Sequence, residues 1–582
     1  MSEPKRIFDL LRIQQQLTPG ISIYNYKEND QWKGISTKDF IEKVNEISKG
    51  LIALGIQPHD KVGLISENRL EWNLMDFAIQ QIGAVVVAIY PNISDQDYEF
   101  ILNDAEINFC FVSSDNLYHR LEILKSKVST LDSVFTFNPY FHIPNWNEVI
   151  ELGKSISDEE LNQLMNQVQT KDLATLIYTS GTTGNPKGVM LSHENLLADV
   201  ISSEYSFPVV AYDKALTFLP TCHAYERVFH YVYIKMGLPI FYAQSMETIG
   251  EDIRDVKPQI FSAVPRVLEK VYEKIMDKGH SLTGLKRKLF FWAIALGEQY
   301  DLDESKFSVW YRFQLKLARK LIFSKWKEAL GGEIKGIASG SATLQTRLLK
   351  LFLAAGIPIY EGYGLTEAGP CLSVNCLKRG MKIGTVGLPL VGIEIKLAED
   401  GEILAKGKNI MMGYYKNPTA TDEVLKDGWL HTGDIGEWVD GRFLKIIDRK
   451  KEMFKTSGGK YVVPQQIESK LTESDYILQS LVIGESRKFP SALIIPNFEK
   501  LKEELDLSNI KNELMIQDPR VLDILEKVVS KVNQNFGNWE QIKRFQLLPN
   551  EFTIETGELT PTLKNKRKVI EKKFEKEIDL MY

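Results

Sequence analysis

A rhythm of short apolar runs between stretches of helical spacing limits the folds open to this chain. Phe40, Val44, Ile47, Leu51 and Leu54 share one face of a helix predicted over 36–56, and Gly55 is placed to stop it. Lys61–Ile65 then reads as a buried strand, 70–82 as a helix and 84–89 as the next strand. Strands joined through helices need crossover connections, so the pattern predicts βαβ units in a mainly parallel sheet. The same texture returns at Phe109–Val112, Ser133–Thr136, 174–178, 214–218, 239–242, Ile260–Ala263 and 357–360.

The texture changes along the chain. Residues 266–330 are helical and basic, with Trp292, Trp310 and Trp326. From about residue 384, short strands alternate with glycine turns (Gly387, Gly392, Gly401, Gly413), which predicts a β-rich subdomain over 384–447. The last stretch mixes strands with charged helices, an α+β pattern. At about 100–200 residues per domain, 582 residues make a multidomain protein. With 44% apolar and 25% charged residues there is surface enough to bury, so disorder is excluded as the main state. The net charge of −6 argues against a nucleic-acid binder. No apolar run approaches the ~18–20 residues of a membrane span, and the polar N-terminus carries no cleavable signal. Cys110, Cys222, Cys371 and Cys376 are scattered, without a C-x-x-C pair. They suit a reducing compartment rather than disulfides or zinc, so the protein is expected to be cytoplasmic.

The strongest local signal spans 176–189. An apolar strand runs into a loop holding Thr179, Ser180, Gly181, Thr182, Thr183 and Gly184, followed by Lys187. Glycines let backbone N–H groups approach an anion, hydroxyls add donors and the lysine adds charge, which is what a polyphosphate requires. It is not a Walker loop: counted from Gly181, Pro186 stands where the second glycine should be and Gly188 replaces the Ser/Thr. The competing reading is a flexible Gly/Thr turn.

This segment resembles the signature of the adenylate-forming superfamily, which includes acyl-CoA synthetases, luciferases and peptide-synthetase adenylation domains. Further segments resemble its other signatures in order: Tyr360-Glu-Gly-Tyr-Gly-Leu-Thr-Glu367, Thr432-Gly-Asp434, Asp448-Arg-Lys-Lys-Glu-Met-Phe-Lys455 with Gly458-Gly459, and Leu559-Thr-Pro-Thr-Leu-Lys-Asn-Lys-Arg567. The resemblance covers nearly the whole chain. It implies an α/β fold with a large N-terminal domain of βαβ-type sheets (1–448), a hinge at 449–452 and a small mobile α+β domain at 453–582. It also implies ATP and coenzyme A as co-substrates and Mg²⁺ as cofactor. A carboxylate would attack the α-phosphate of ATP, and a thiol would then displace AMP.

The resemblance carries roles to individual positions. Glu367 would hold Mg²⁺ with the Thr179 hydroxyl, and Thr366 and Lys187 would contact phosphate. Tyr363 would stack on adenine within Glu361-Gly362-Tyr363-Gly364, and Gly340-Ser341-Ala342 would approach adenine and the substrate carboxylate. Asp434 would bind the ribose, with Arg449 reaching ribose or phosphate. Lys564 would bridge carboxylate and α-phosphate, and Lys451 would be the hinge. Gly458, Gly459 and Lys460 would serve coenzyme A. The local readings that compete are a helix cap for Thr366-Glu367, a turn for Asp434, and solvated charge for Lys451 and the basic tail.

Leu219-Pro-Thr-Cys-His-Ala-Tyr-Glu-Arg-Val228 resembles the long-chain acyl-CoA synthetase branch, which places His223 and Val228 at the acyl site. A structural histidine and plain core are the alternatives. Between Leu285 and Ala329 there are ten basic and five acidic residues. With the tryptophans they suit contact with an anionic membrane surface, or a helical hairpin packed on the main domain. The function expected is a long-chain fatty acid:CoA ligase. An acyl-AMP ligase loading a carrier-protein thiol and a catalytically silent nucleotide-binding relative are the other readings.

Overall fold

The computed structural model describes residues 3–179, 186–457, 460–507, 510–553, 556–559 and 565–582. Two compact units emerge: Met1–Ile395 with Ala405–His431 and Trp438–Leu444, and Lys396–Leu404 with Thr432–Glu437 and Lys445–Tyr582.

The strand–helix rhythm builds two large sheets in the first unit. One has seven strands in the order Gly413–Tyr414, Lys187–Ser192, Leu173–Thr179, Val85–Ile89, Lys61–Ile65, Phe109–Val112 and Ser133–Thr136. The last five run parallel, as predicted, and the first two are antiparallel additions. Every residue of Val85–Ile89 is buried, as a parallel strand covered on both faces requires. The other sheet has nine strands: Leu388–Pro389, Cys371–Val374, Ile359–Gly364, Gly336–Ser339, Ile260–Ala263, Ala215–Thr217, Ile240–Tyr242, Ser22–Glu28 and Gln31–Ser36. Its last two strands form a hairpin that turns through Asn29 and Asp30, both left-handed.

The helix Ala224–Lys235 is buried on nearly all sides and is held by charge. Glu226 accepts hydrogen bonds from Thr217 and Ser262, on two strands of the nine-stranded sheet. The next residue, Arg227, donates to Thr175 of the seven-stranded sheet at 2.7 Å, donates to Tyr231 at 2.9 Å and pairs with buried Asp76. Adjacent residues thus grip different sheets. Buried charges are tolerable only when paired and hydrogen-bonded, as Arg227 and Asp76 are, whereas Glu226 is met by two hydroxyl donors. Burial pushes the Glu226 carboxyl up to about 7 against the pull of its two hydroxyl donors, and pushes His230 down to about 3.

The 266–330 segment is helical, with Pro265–His280, Gly284–Glu298, Val309–Ala318 and Ser324–Ala329. Its buried face packs Leu268, Phe290, Phe323 and Trp326 against Phe352 of a later helix. The packed-hairpin reading therefore holds for one face. The other face leaves Trp310 65% exposed. Short strands over 394–449 make a five-stranded sheet, as the glycine turns predict.

The second unit centres on a three-stranded sheet in which Ile477–Ile483 pairs antiparallel and Arg544–Leu547 parallel with Ser491–Pro496, the α+β texture expected. Helices Pro464–Leu471 and Pro519–Asn533 bury Ile467, Leu471, Val521 and Leu525 in its core. All four cysteines are free. Among the described residues, no helix is long and apolar enough to cross a membrane.

Candidate active site

The described ends of the 176–189 segment are strands. Leu173–Thr179 and Lys187–Ser192 pair antiparallel, with Thr179 opposite Lys187. Lys187 thus opens a strand, where the sequence reads as loop. Ser180, Gly181, Thr182, Thr183 and Gly184 lie outside the described residues. Gly413–Tyr414 adds a third strand beside Met190 and Val189. It brings the Tyr414 ring centroid to 4.9 Å from the Lys187 ammonium.

Glu367 stands on a one-turn helix, Thr366–Ala368, just after the strand Ile359–Gly364. Leu365 takes the cap position, and Thr366 and Glu367 are the first two residues of the short helix, so the pair stands at a helix start as its local reading allows. The 408–414 segment holds the turn. The Met411 N–H donates to the Glu367 carbonyl at 2.9 Å, and the Tyr414 hydroxyl donates to Glu367 Oε1 at 2.7 Å. Asn409 donates its side-chain amide to the carbonyls of Ala368 at 2.7 Å and Cys371 at 2.8 Å. Asp199 accepts the Cys371 N–H at 2.6 Å, and burial raises its carboxyl well above the ordinary range. Thr179, Lys187, Tyr414 and Glu367 thereby form one chain of neighbours. Tyr414 carries no local motif, and only the pairing across more than 200 residues reveals it.

Two strand ends of the nine-stranded sheet contribute the next candidates. Gly340, Ser341 and Ala342 follow Gly336–Ser339, with Ser341 at φ 69°. A Cβ on Gly340 would lie 3.1 Å from the Tyr225 ring. Gly362, Tyr363 and Gly364 pair with Val374, Ser373 and Cys371, and a Cβ on Gly364 would overlap the Pro370 carbonyl at 1.9 Å. Burial pushes the Glu361 carboxyl up to about 8. An apolar cavity is lined by Phe207, Val228, Phe229 and Tyr360 together with Tyr225 and Ser339. The hydroxyls of Tyr225 and Ser339 are buried without a partner among the described residues. His223 caps the buried helix, accepting the Tyr225 N–H at 3.1 Å through Nδ1, and its ring edge faces Tyr90.

In the second unit, two nucleotide candidates meet each other: Arg449 Nε donates to Asp434 Oδ1 at 3.0 Å. Asp434 lies within the strand Trp429–Val439 rather than in the turn that its tripeptide suggests, and its N–H donates to Thr432 Oγ1 at 3.1 Å. Burial pushes the Asp448 carboxyl up to about 6 although it accepts the Arg449 N–H. Lys451 is exposed in the turn that closes when the Met453 N–H donates to the Arg449 carbonyl at 3.0 Å. Lys460 lies 5.7 Å over the half-exposed Trp539 ring, and neighbouring Lys455 lies 4.6 Å over Tyr461. Gly458, Gly459 and Lys564 lie outside the described residues. Near Lys564 in sequence, Leu559 bridges to Asn565, and Arg567 donates to Glu468 at 2.5 Å and to the Val482 carbonyl at 2.8 Å.

Among the described residues, no group of three or more His, Cys, Asp or Glu side chains could hold a metal. The Glu367 carboxylate and the Thr179 hydroxyl are compatible with Mg²⁺, which keeps waters rather than needing an all-protein cage.

The family described as AMP-binding enzyme matches residues 11–415, and the AMP-binding enzyme C-terminal domain matches residues 452–582. A long-chain-fatty-acid–CoA ligase of Mycobacterium bovis is 33% identical over 575 residues, spanning 97% of this chain and 95% of its own. The adenylation domain of a carboxylate reductase from Mycobacterium chelonae superposes with a TM-score of 0.77 at 19% identity, covering 99% of this chain and 91% of that one. The O-succinylbenzoate coenzyme A synthetase of Bacillus subtilis, solved with ATP and magnesium ion, superposes with a TM-score of 0.67 at 20% identity, covering 96% and 98%. With both units matched and both large sheets in place, the chain belongs to the AMP-binding enzymes.

Proposed function

We propose that this enzyme joins a long-chain fatty acid to coenzyme A at the expense of ATP. The fatty carboxylate attacks the α-phosphorus, the bond to the β-phosphate breaks, and pyrophosphate leaves. The thiol sulfur then attacks the acyl carbonyl and AMP leaves. The observation that carries this reading is the joining of Thr179, Lys187 and Glu367 on adjoining elements, in a chain aligned over 97% of its length with a named long-chain-fatty-acid–CoA ligase.

The first step drives one anion onto another, so cations and oriented donors dominate it. Lys187 and the 180–184 donors hold the phosphates, and Thr366 donates to the α-phosphate. Glu367 and Thr179 would hold Mg²⁺, which would supply neutralisation of phosphate charge there. Tyr363, Glu361, Gly362, Gly364 and the 340–342 backbone receive adenine. Asp434 and Arg449, already paired, take the ribose and phosphate. Lys564 bridges the two reacting anions. Lys451 is the pivot of a hinge at 449–452 between the half-reactions, and Gly458, Gly459 and Lys460 serve coenzyme A. The cavity beside Val228 receives the acyl group, with His223 fixing the helix that lines it. Four free cysteines fit a cytoplasmic setting.

Peripheral membrane contact belongs to the same reading. Val309, Trp310, Phe313, Leu317 and Leu321 are all exposed, and Arg312, Lys316 and Lys320 stand exposed among them. Apolar side chains ringed by cations suit an anionic lipid surface that stores the substrate. Cosedimentation with anionic phospholipid vesicles, lost in Trp310→Asp, tests it.

The test of the function is AMP release from ATP with palmitate, Mg²⁺ and coenzyme A, each omitted in turn. Palmitoyl-CoA appearing in step with AMP, and only with all four, is the expected result. Palmitate-dependent pyrophosphate exchange without a thioester would move the acceptor to a carrier protein. No response to any acid would overturn the reading.

A further inference from the structure

The backbone fixes Tyr414 tightly. Gly413 and Tyr414 pair with Met190 and Val189, the Tyr414 N–H donates to Thr421 Oγ1 at 2.9 Å, and the Tyr415 N–H donates to the Gly188 carbonyl at 2.8 Å. Gly413 sits at φ +138°, and a Cβ there would meet the Thr421 methyl at 2.8 Å, so the strand approaches its neighbour as only glycine allows. The Tyr414 side chain is buried, and its two ends meet opposite charges. The hydroxyl donates to Glu367 Oε1 at 2.7 Å, and the ring lies 4.9 Å from Lys187 Nζ.

We propose that Tyr414 is a positioning residue that aims both the metal-binding carboxylate and the phosphate-binding lysine, using separate parts of one side chain. The inference rests on the roles proposed above for Glu367 and Lys187. A neutral hydroxyl holds one carboxylate oxygen without cancelling its charge, as a base would. A π face restrains an ammonium without cancelling its charge, as an acid would. Tyr414 thus keeps two opposite charges close and oriented while both remain available to a metal–nucleotide complex.

The parts separate by substitution. Tyr414→Phe keeps the ring and loses the hydroxyl, and Tyr414→Leu loses both. Binding of Mn²⁺ to the full-length enzyme with a non-hydrolysable ATP analogue is read by electron paramagnetic resonance. Metal-free binding of the same analogue is read by calorimetry. Tyr414→Phe is expected to weaken Mn²⁺ binding about tenfold or more, with metal-free nucleotide affinity within twofold of wild type. Tyr414→Leu is expected to weaken metal-free binding as well, about threefold to tenfold, and phenylalanine restores it. In a Glu367→Gln background, Tyr414→Phe should move Mn²⁺ binding less than twofold, because the carboxylate it orients is gone. A wild-type Mn²⁺ affinity in Tyr414→Phe, or additive losses in the double variant, overturns the inference. Failure of the wild type to bind the analogue at all would instead overturn the proposed function.

Discussion

The two units hold several of their candidate residues in opposite ways, although Asp434 of the second is buried within the strand Trp429–Val439. In the first, Thr179, Lys187 and Glu367 stand on or beside sheet strands, and a buried scaffold of Asp199, Asn409 and Tyr414 fixes the Glu367 turn. In the second, Arg449 is 44% exposed, Lys451 is exposed on a turn, and Lys460 lies over a half-exposed ring. Preorganised donors stabilise a transition state because no reorganisation is needed when charge develops, and the first unit is built that way. Groups on turns and ring faces keep freedom to be presented more than once.

Four experiments probe that contrast. The largest effect is expected from Lys564→Ala, which should slow adenylation by about 10²–10³-fold or more while sparing thioester formation from supplied acyl-adenylate. Equal loss of both half-reactions would refute the role assigned to Lys564. Next, Arg227→Met strands Asp76 in the core and should lower stability by about 3–5 kcal/mol in denaturant titration. A loss below 1 kcal/mol would remove buried charge as the first unit's anchor. A smaller effect concerns pH. Glu226 sits at about 7 in the folded chain against an ordinary 4.5, so the native state holds a proton that the unfolded state releases between those values. Its stabilising contribution is complete below about pH 4.5 and is lost as pH rises through about 7, so Glu226→Gln should flatten the stability–pH curve across that window. The smallest effect is expected from Trp539→Ala, which frees Lys460 and should raise the KM for coenzyme A by about two- to fivefold, the scale of an exposed cation–π contact. A larger rise would make the second unit as rigid in use as the first.

The parallel strands were legible because a strand buried on both faces is an unbroken apolar run, as at Val85–Ile89. The strand Lys187–Ser192 was not, since its first two residues, Lys187 and Gly188, read as loop and its second partner, Gly413–Tyr414, lies far along the chain. The N-terminal hairpin carries its own turn signal, Asn29-Asp30, both left-handed between the two strands. The motif residues of the site were legible through resemblance, yet the Arg449–Asp434 pair and the hydroxyl on Glu367 were not, because both depend on non-local geometry. His223 shows the reverse: its ring caps a helix, as the plain local reading allowed.

The grip of Glu226 on one sheet and Arg227 on the other bears on how the large unit comes apart. Opening the seven-stranded sheet by itself would take a hydrogen-bond partner from the buried Arg227 cation, and opening the nine-stranded sheet would leave the buried Glu226 carboxyl without its donors, so partial openings are penalised along with global ones. Amide exchange in Val85–Ile89 and in Ile260–Ala263 should then track a single slow event, and the two sheets should behave as one cooperative body despite separate strand ladders.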